Sequence, residues 1–154
     1  MHLLNVLCWR FVFHVDFILD TANAINKFLI LKYRFHMTKS YPEITKRISG
    51  SMKVLRKDIT DTMQGFSAMA QAATKDGALD KKTKEFIALA IGVSTRCDGC
   101  IGFHSEALVK LGATREEFEE VLGMAVYMGG GPSLMYAADA LLAFEQFSEI
   151  HKKD

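Results

Sequence analysis

Eight consecutive residues, Phe86-Ile87-Ala88-Leu89-Ala90-Ile91-Gly92-Val93, are apolar without exception. They follow Asp80, a residue suited to capping a helix, and the polar turn Lys81-Lys82-Thr83-Lys84. The stretch therefore reads as a helix with no side fit for water. In a chain of 154 residues such a helix has two places to go, the middle of a bundle or an interface between subunits, so self-association is expected. No segment alternates polar and apolar residues as a strand does, and two prolines with 11 glycines are too few for the frequent turns of a β-sandwich. The expected fold class is an all-α helical bundle that forms a homo-oligomer.

Helical spacing and stop signals divide the chain from residue 41 onward. Pro42-Glu43 opens a first helix, along which Ile44, Ile48 and Met52 or Leu55 recur. A second, from Asp61 to about Thr74, carries Met63, Phe66, Met69, Ala70 and Ala73 and stops at Lys75-Asp76-Gly77. The apolar helix is third, and a fourth runs from near Cys97 to Leu111-Gly112. Thr114-Arg115-Glu116-Glu117 is a capping box for a fifth, with Phe118, Val121, Leu122, Ala125 and Met128 on its inner face. Gly129-Gly130-Gly131-Pro132 ends that helix and starts a last one through Leu134, Ala138, Leu141, Leu142 and Phe144. Lacking a preceding strand and a lysine for phosphate, the glycine run is a turn between helices rather than a phosphate cradle. The eight methionines fall mostly at core spacing and carry no chemistry.

Residues 1–36 stand apart. They hold Cys8, Trp9 and five of the eleven phenylalanines, but Arg10, His14, Asp16 and Asp20 break any run of the roughly 18 apolar residues that a membrane span needs. No basic start, unbroken apolar centre and small-residue cleavage site mark a secretory signal. As an amphipathic anchor the segment offers only the ragged stripe Phe11, Val15, Ile18 and Leu19. The expected organisation is an extension over 1–36, outside the native chain if that begins at Met37, and one domain over 37–154. Cys8 has neither a nearby thiol nor a base.

Chemistry concentrates in Cys97-Asp98-Gly99-Cys100-Ile101-Gly102-Phe103-His104. Two thiols separated by two residues at a helix start can close a small disulfide, and the positive helix end favours thiolate over thiol. His104 follows Cys100 by one helical turn, so its imidazole lies on the same face and can take the thiol proton. If the chain reverses around Ser94-Thr95-Arg96, antiparallel packing brings Glu85 to the level of His104, where a carboxylate fixes the tautomer and raises the basicity of the ring. The same residues could instead hold zinc, with Glu85 or Asp98 as the fourth ligand, although a second CxxC or an HxxxH is missing. A close cysteine pair without a disulfide framework points to redox chemistry in a reducing compartment, the cytoplasm. A net charge of +1 provides no footprint for nucleic acid or for an anionic membrane.

At these residues the chain resembles the AhpD-like alkylhydroperoxidase branch of the carboxymuconolactone decarboxylase family. The resemblance spans roughly residues 41 to 148. It rests on Lys84-Glu85, the CxxC with His104, Ala107, Gly112-Ala113-Thr114 with Glu117, and Met128-Gly129-Gly130-Gly131-Pro132 with Tyr136-Ala137. It implies an all-helical trimer or hexamer without metal or bound organic cofactor. It also implies that Cys100 attacks a hydroperoxide, Cys97 resolves the product, and Glu85 and His104 relay protons. The reductant would be a lipoyl or thioredoxin-like dithiol. Some members carry a histidine just before the second cysteine, where this chain has Gly99, which shortens the relay. Position along the helix alone favours Cys97 as nucleophile, whereas the histidine one turn on favours Cys100. The decarboxylase branch lacks the CxxC, so its lactone substrate is not implied. A non-catalytic zinc module, a decarboxylase and a general thiol oxidoreductase are the competing functions.

Overall fold

Four of the five helices among residues 39–152, which this computed structural model describes, start on a side chain that accepts a hydrogen bond from the first turn. The helices are α1 (Tyr41–Asp58), α2 (Thr60–Thr74), α3 (Lys81–Ser94), α4 (Asp98–Lys110) and α5 (Arg115–His151), and no strand occurs among the described residues. The extension expected over 1–36, with Cys8, lies outside them. Ser40 caps α1, Asp80 caps α3, Cys97 caps α4 and Thr114 caps α5, while α2 begins at Ile59 without a side-chain cap. The capping box of α5 is complete, with the Thr114 hydroxyl accepting from the Glu117 amide and the Glu117 carboxylate accepting from the Thr114 amide.

Glu117 also ties α5 to α3, because its carboxylate accepts from Lys82 Nζ at 2.8 Å. The Lys82 ammonium first, and the Thr114 amide second, hold the Glu117 carboxyl below the usual glutamate range. Thr83 does the same for Asp80 at the start of α3, through its side chain first and its amide second. Both groups titrate lower in the folded chain than in the unfolded one. Their contribution is therefore complete above the unfolded values, about 4, and disappears as pH falls through the folded values. Thermal stability is expected to drop on acidification below about pH 4.5, less steeply in Glu117→Gln than in the wild type. Melting curves from pH 7 to pH 3 measure this, and parallel slopes in the two proteins would refute it.

The core is built where α3, α4 and α5 pack on one another, with α1 laid across α4 and α2 at the edge. Leu89, Val93, Ile101, Leu108 and Phe118 are fully buried, and the Phe118 and Phe144 rings meet at 4.6 Å between centroids. The segment Arg115–His151 is broken at Gly130, whose φ of 65° and ψ of −156° are not helical, so the expected fifth and last helices are its two parts. Gly129, just before the break, lies so close to Ser133 that a Cβ there would collide with that side chain.

Two expectations need correction. Met128 is 75% exposed, not on the inner face. The buried stripe runs Phe118, Leu122 and Ala125, in steps of four and three residues, a phase that turns Met128 outward with Met124 and Tyr127. Nor are the methionines mostly core, since Met69, Met124, Met128 and Met135 are exposed and Met63 is buried. The apolar helix α3 is covered on one side only within a single chain. Leu89 and Val93 face inward, while Ile87 and Ile91 remain 47% and 57% exposed. No helix among the described residues is long and apolar enough to cross a membrane.

Candidate active site

The reversal between α3 and α4 is made by hydrogen bonds that converge on Cys97. Its amide reaches back to the Gly92 carbonyl at 3.0 Å, and the Arg96 amide to that of Val93 at 3.2 Å, the pairing that closes a helix when the residue beyond its cap turns left-handed. Arg96 is that residue, with φ 59°. A left-handed conformation costs a side-chain-bearing residue about 1–2 kcal/mol, and glycine's extra freedom when unfolded costs about 0.5–1 kcal/mol. Arg96→Gly is thus expected to stabilise the protein by about 0.5 kcal/mol. A lower denaturation midpoint would show instead that the arginine side chain holds the turn.

Cys97 then starts the next helix. Its Sγ accepts the Cys100 amide at 3.2 Å, and the two cysteines are joined by a disulfide with their Cα atoms 5.2 Å apart. The helix end that orders the pair is also the end whose exposed amides favour negative sulfur. Gly92, next to last in the apolar run, admits this turn, because a Cβ there would stand 3.0 Å from Cys100 Cβ.

Glu85, Leu89 and Gly92 recur at helical spacing on the face of α3 that meets α4, and Cys100 and His104 do so on α4. At one end of this contact Gly92 touches Cys100; at the other, Glu85 Oε2 lies 2.7 Å from His104 Nδ1. Glu85 is buried and His104 half-buried. A carboxylate only accepts, so Nδ1 carries the hydrogen of this bond and the neutral ring keeps its lone pair on Nε2. The structure thus pairs Glu85 with His104 and Cys97 with Cys100, and the two pairs are linked along α4 by the one helical turn between Cys100 and His104. Such a site can accept a proton from a thiol and return it to an oxygen leaving group.

From the other side α1 closes over the first turn of α4. Ile48 Cδ1 lies 2.9 Å from where a Cβ on Gly99 would be, and Thr45 Cγ2 lies 2.6 Å from that of Gly102. A side chain at position 99 would therefore have to push aside the tip of Ile48. Tyr41, fully buried, meets Asp98 Oδ1 through its hydroxyl at 3.3 Å. Tyr41, Ile48 and Gly92 escape a reading of the CxxC alone. The signal that points toward the first two is the pair Gly99 and Gly102, three residues apart, which marks a close helix approach. Among the described residues no three of His, Cys, Asp and Glu converge as a metal-binding group.

Residues 60–143 match the sequence profile of the carboxymuconolactone decarboxylase family. An uncharacterized protein of Cupriavidus necator is 45% identical over 83 residues, covering 54% of this chain and 74% of the relative. Among solved structures, apo-lpg0406 of Legionella pneumophila, a carboxymuconolactone decarboxylase family protein, is 67% identical. It aligns over 70% of this chain and 96% of its own with a TM-score of 0.69. TM1620 of Thermotoga maritima is 32% identical over 60% of this chain and 96% of its own, with a TM-score of 0.57. It is a protein of the same family for which involvement in an antioxidative response has been suggested.

Proposed function

Since the chain belongs to the carboxymuconolactone decarboxylase family, we propose that it is a thiol-dependent peroxidase that reduces hydroperoxides through Cys97 and Cys100. The observation that carries this reading is the Glu85–His104 bond of 2.7 Å, made one helical turn from Cys100 in the disulfide-forming pair. In the reduced protein His104 Nε2 takes the Cys100 proton. The thiolate attacks the terminal oxygen of the hydroperoxide, the O–O bond breaks, and the proton held by His104 leaves with the alkoxide as an alcohol. Cys100 is then a sulfenic acid. Cys97 condenses with it, a sulfur–sulfur bond forms and water departs. A dithiol, on a thioredoxin-like or lipoyl carrier in the cytoplasm, returns two electrons and two protons and is itself oxidised to a disulfide. Glu85 touches no reactant; it holds the ring and stabilises its positive charge.

We also assign the exposed apolar residues Ile87 and Ile91 on α3, and Met124, Tyr127 and Met128 on α5, to contacts between copies of the chain in a trimer or hexamer. Peroxide consumption with dithiothreitol as donor, together with mass spectrometry of the oxidised protein, tests the enzymatic reading. The expected result is catalytic turnover with an internal Cys97–Cys100 disulfide. A disulfide that cycles while hydroperoxide stays untouched would make the protein a thiol oxidoreductase instead.

A further inference from the structure

Asp98 stands between the two cysteines in the chain, at the first position of α4. Its charge there opposes a negative charge on either sulfur. Its Oδ1 accepts the Tyr41 hydroxyl at 3.3 Å across the contact between α1 and α4. Tyr41 is held at both ends, because its amide donates to Gln146 Oε1 on α5 at 2.8 Å and its ring lies 3.3 Å from the place of a Gly102 Cβ. Packing alone would be served equally by phenylalanine. The hydroxyl adds a fixed donor to a half-buried carboxylate beside the redox pair.

We propose that Tyr41 is a positioning residue that, through Asp98, sets the reduction potential of the Cys97–Cys100 disulfide, an inference that rests on the redox reading of that pair. The reduced form carries anionic character on sulfur, which the Asp98 carboxylate disfavours. By donating to that carboxylate, the phenol draws off part of its charge and keeps it on the side of α1. The reduced form gains. Loss of the hydroxyl then favours the disulfide, and loss of the carboxylate charge favours the dithiol. Once the charge is gone, this path from the hydroxyl to the sulfurs is gone with it.

The full chain is equilibrated with mixtures of reduced and oxidised dithiothreitol, and its free thiols are counted. Each reduced dithiothreitol gives two electrons and two protons to the protein disulfide, yielding two thiols, and closes into its own cyclic disulfide. Tyr41→Phe is expected to move the equilibrium about threefold toward the disulfide. Asp98→Asn is expected to move it about three- to tenfold toward the dithiol, a tenfold change being about 30 mV. In the Asp98→Asn background Tyr41→Phe adds nothing further. A Tyr41→Phe shift of equal size in both backgrounds, a shift toward the dithiol, or no shift in a protein that melts as the wild type does, overturns the proposal. A purely structural Tyr41 would move the melting temperature alike in both backgrounds and leave the potential in place. No peroxide enters the assay, so failure of peroxidase activity leaves it standing, whereas a wild-type pair that never closes reversibly overturns both.

Discussion

Cys100→Ser is expected to abolish hydroperoxide reduction, with a loss of at least about 1000-fold in kcat/KM, because it removes the one thiol of the pair that has a histidine a helical turn further on. Cys97→Ser should behave differently. Its Cys100 still has His104 one turn on, so one equivalent of peroxide per chain is consumed and a sulfenic acid remains that no other thiol among the described residues can condense with. Multiple turnover is then lost while the first is kept. The two variants therefore separate attack from resolution. A sulfenic-acid probe, applied after one equivalent of hydroperoxide, labels Cys97→Ser and spares Cys100→Ser. The assignment faces a real competitor in Cys97, whose sulfur already accepts a backbone amide at the helix start. Labelling of Cys100→Ser alone would show that the amide outweighs the imidazole and would exchange the two roles.

How much of the fold is legible in the sequence depends on whether one helix at a time is enough. Caps are local, and Asp80 and the Thr114–Glu117 box stand where their residue types place them. The turn between α3 and α4 is nearly local, and once it reverses the chain, the spacing of Glu85, Gly92, Cys100 and His104 brings acid and imidazole to 2.7 Å. Burial is not local. Met128 and Leu122 are equally apolar, and which of them faces inward depends on the phase of the stripe through Phe118, Leu122 and Ala125, which is set by packing against other helices. The same holds for Gly99. In the sequence it is a missing histidine, and only the placement of Ile48 on α1 shows that a side chain there would have to displace the tip of that isoleucine. Exposed Ile87 and Ile91 mark the boundary of what one chain covers, since the apolar run of α3 is buried by its own fold on one side only.

The relay makes the second large prediction, and it is one in which activity and stability part company. His104→Ala removes the only base one turn from Cys100 and is expected to lower kcat/KM by about 100- to 10,000-fold. It also strips the buried Glu85 carboxylate of its partner, at a cost of about 1–3 kcal/mol. Glu85→Gln keeps the shape and a hydrogen bond to the ring, so the fold should be nearly as stable as the wild type. What it loses is the negative charge that stabilises the protonated imidazole and the strict acceptor that keeps the hydrogen on Nδ1, because an amide can also donate there and turn the ring over. A drop of about ten- to a hundredfold follows, with the melting temperature little changed. Because Glu85 works through His104, the double variant should be no slower than His104→Ala alone, a departure from additivity that independent residues would not show. If the two losses multiply instead, Glu85 acts on the sulfur or on the substrate by some route other than the imidazole, and the order of the relay is wrong.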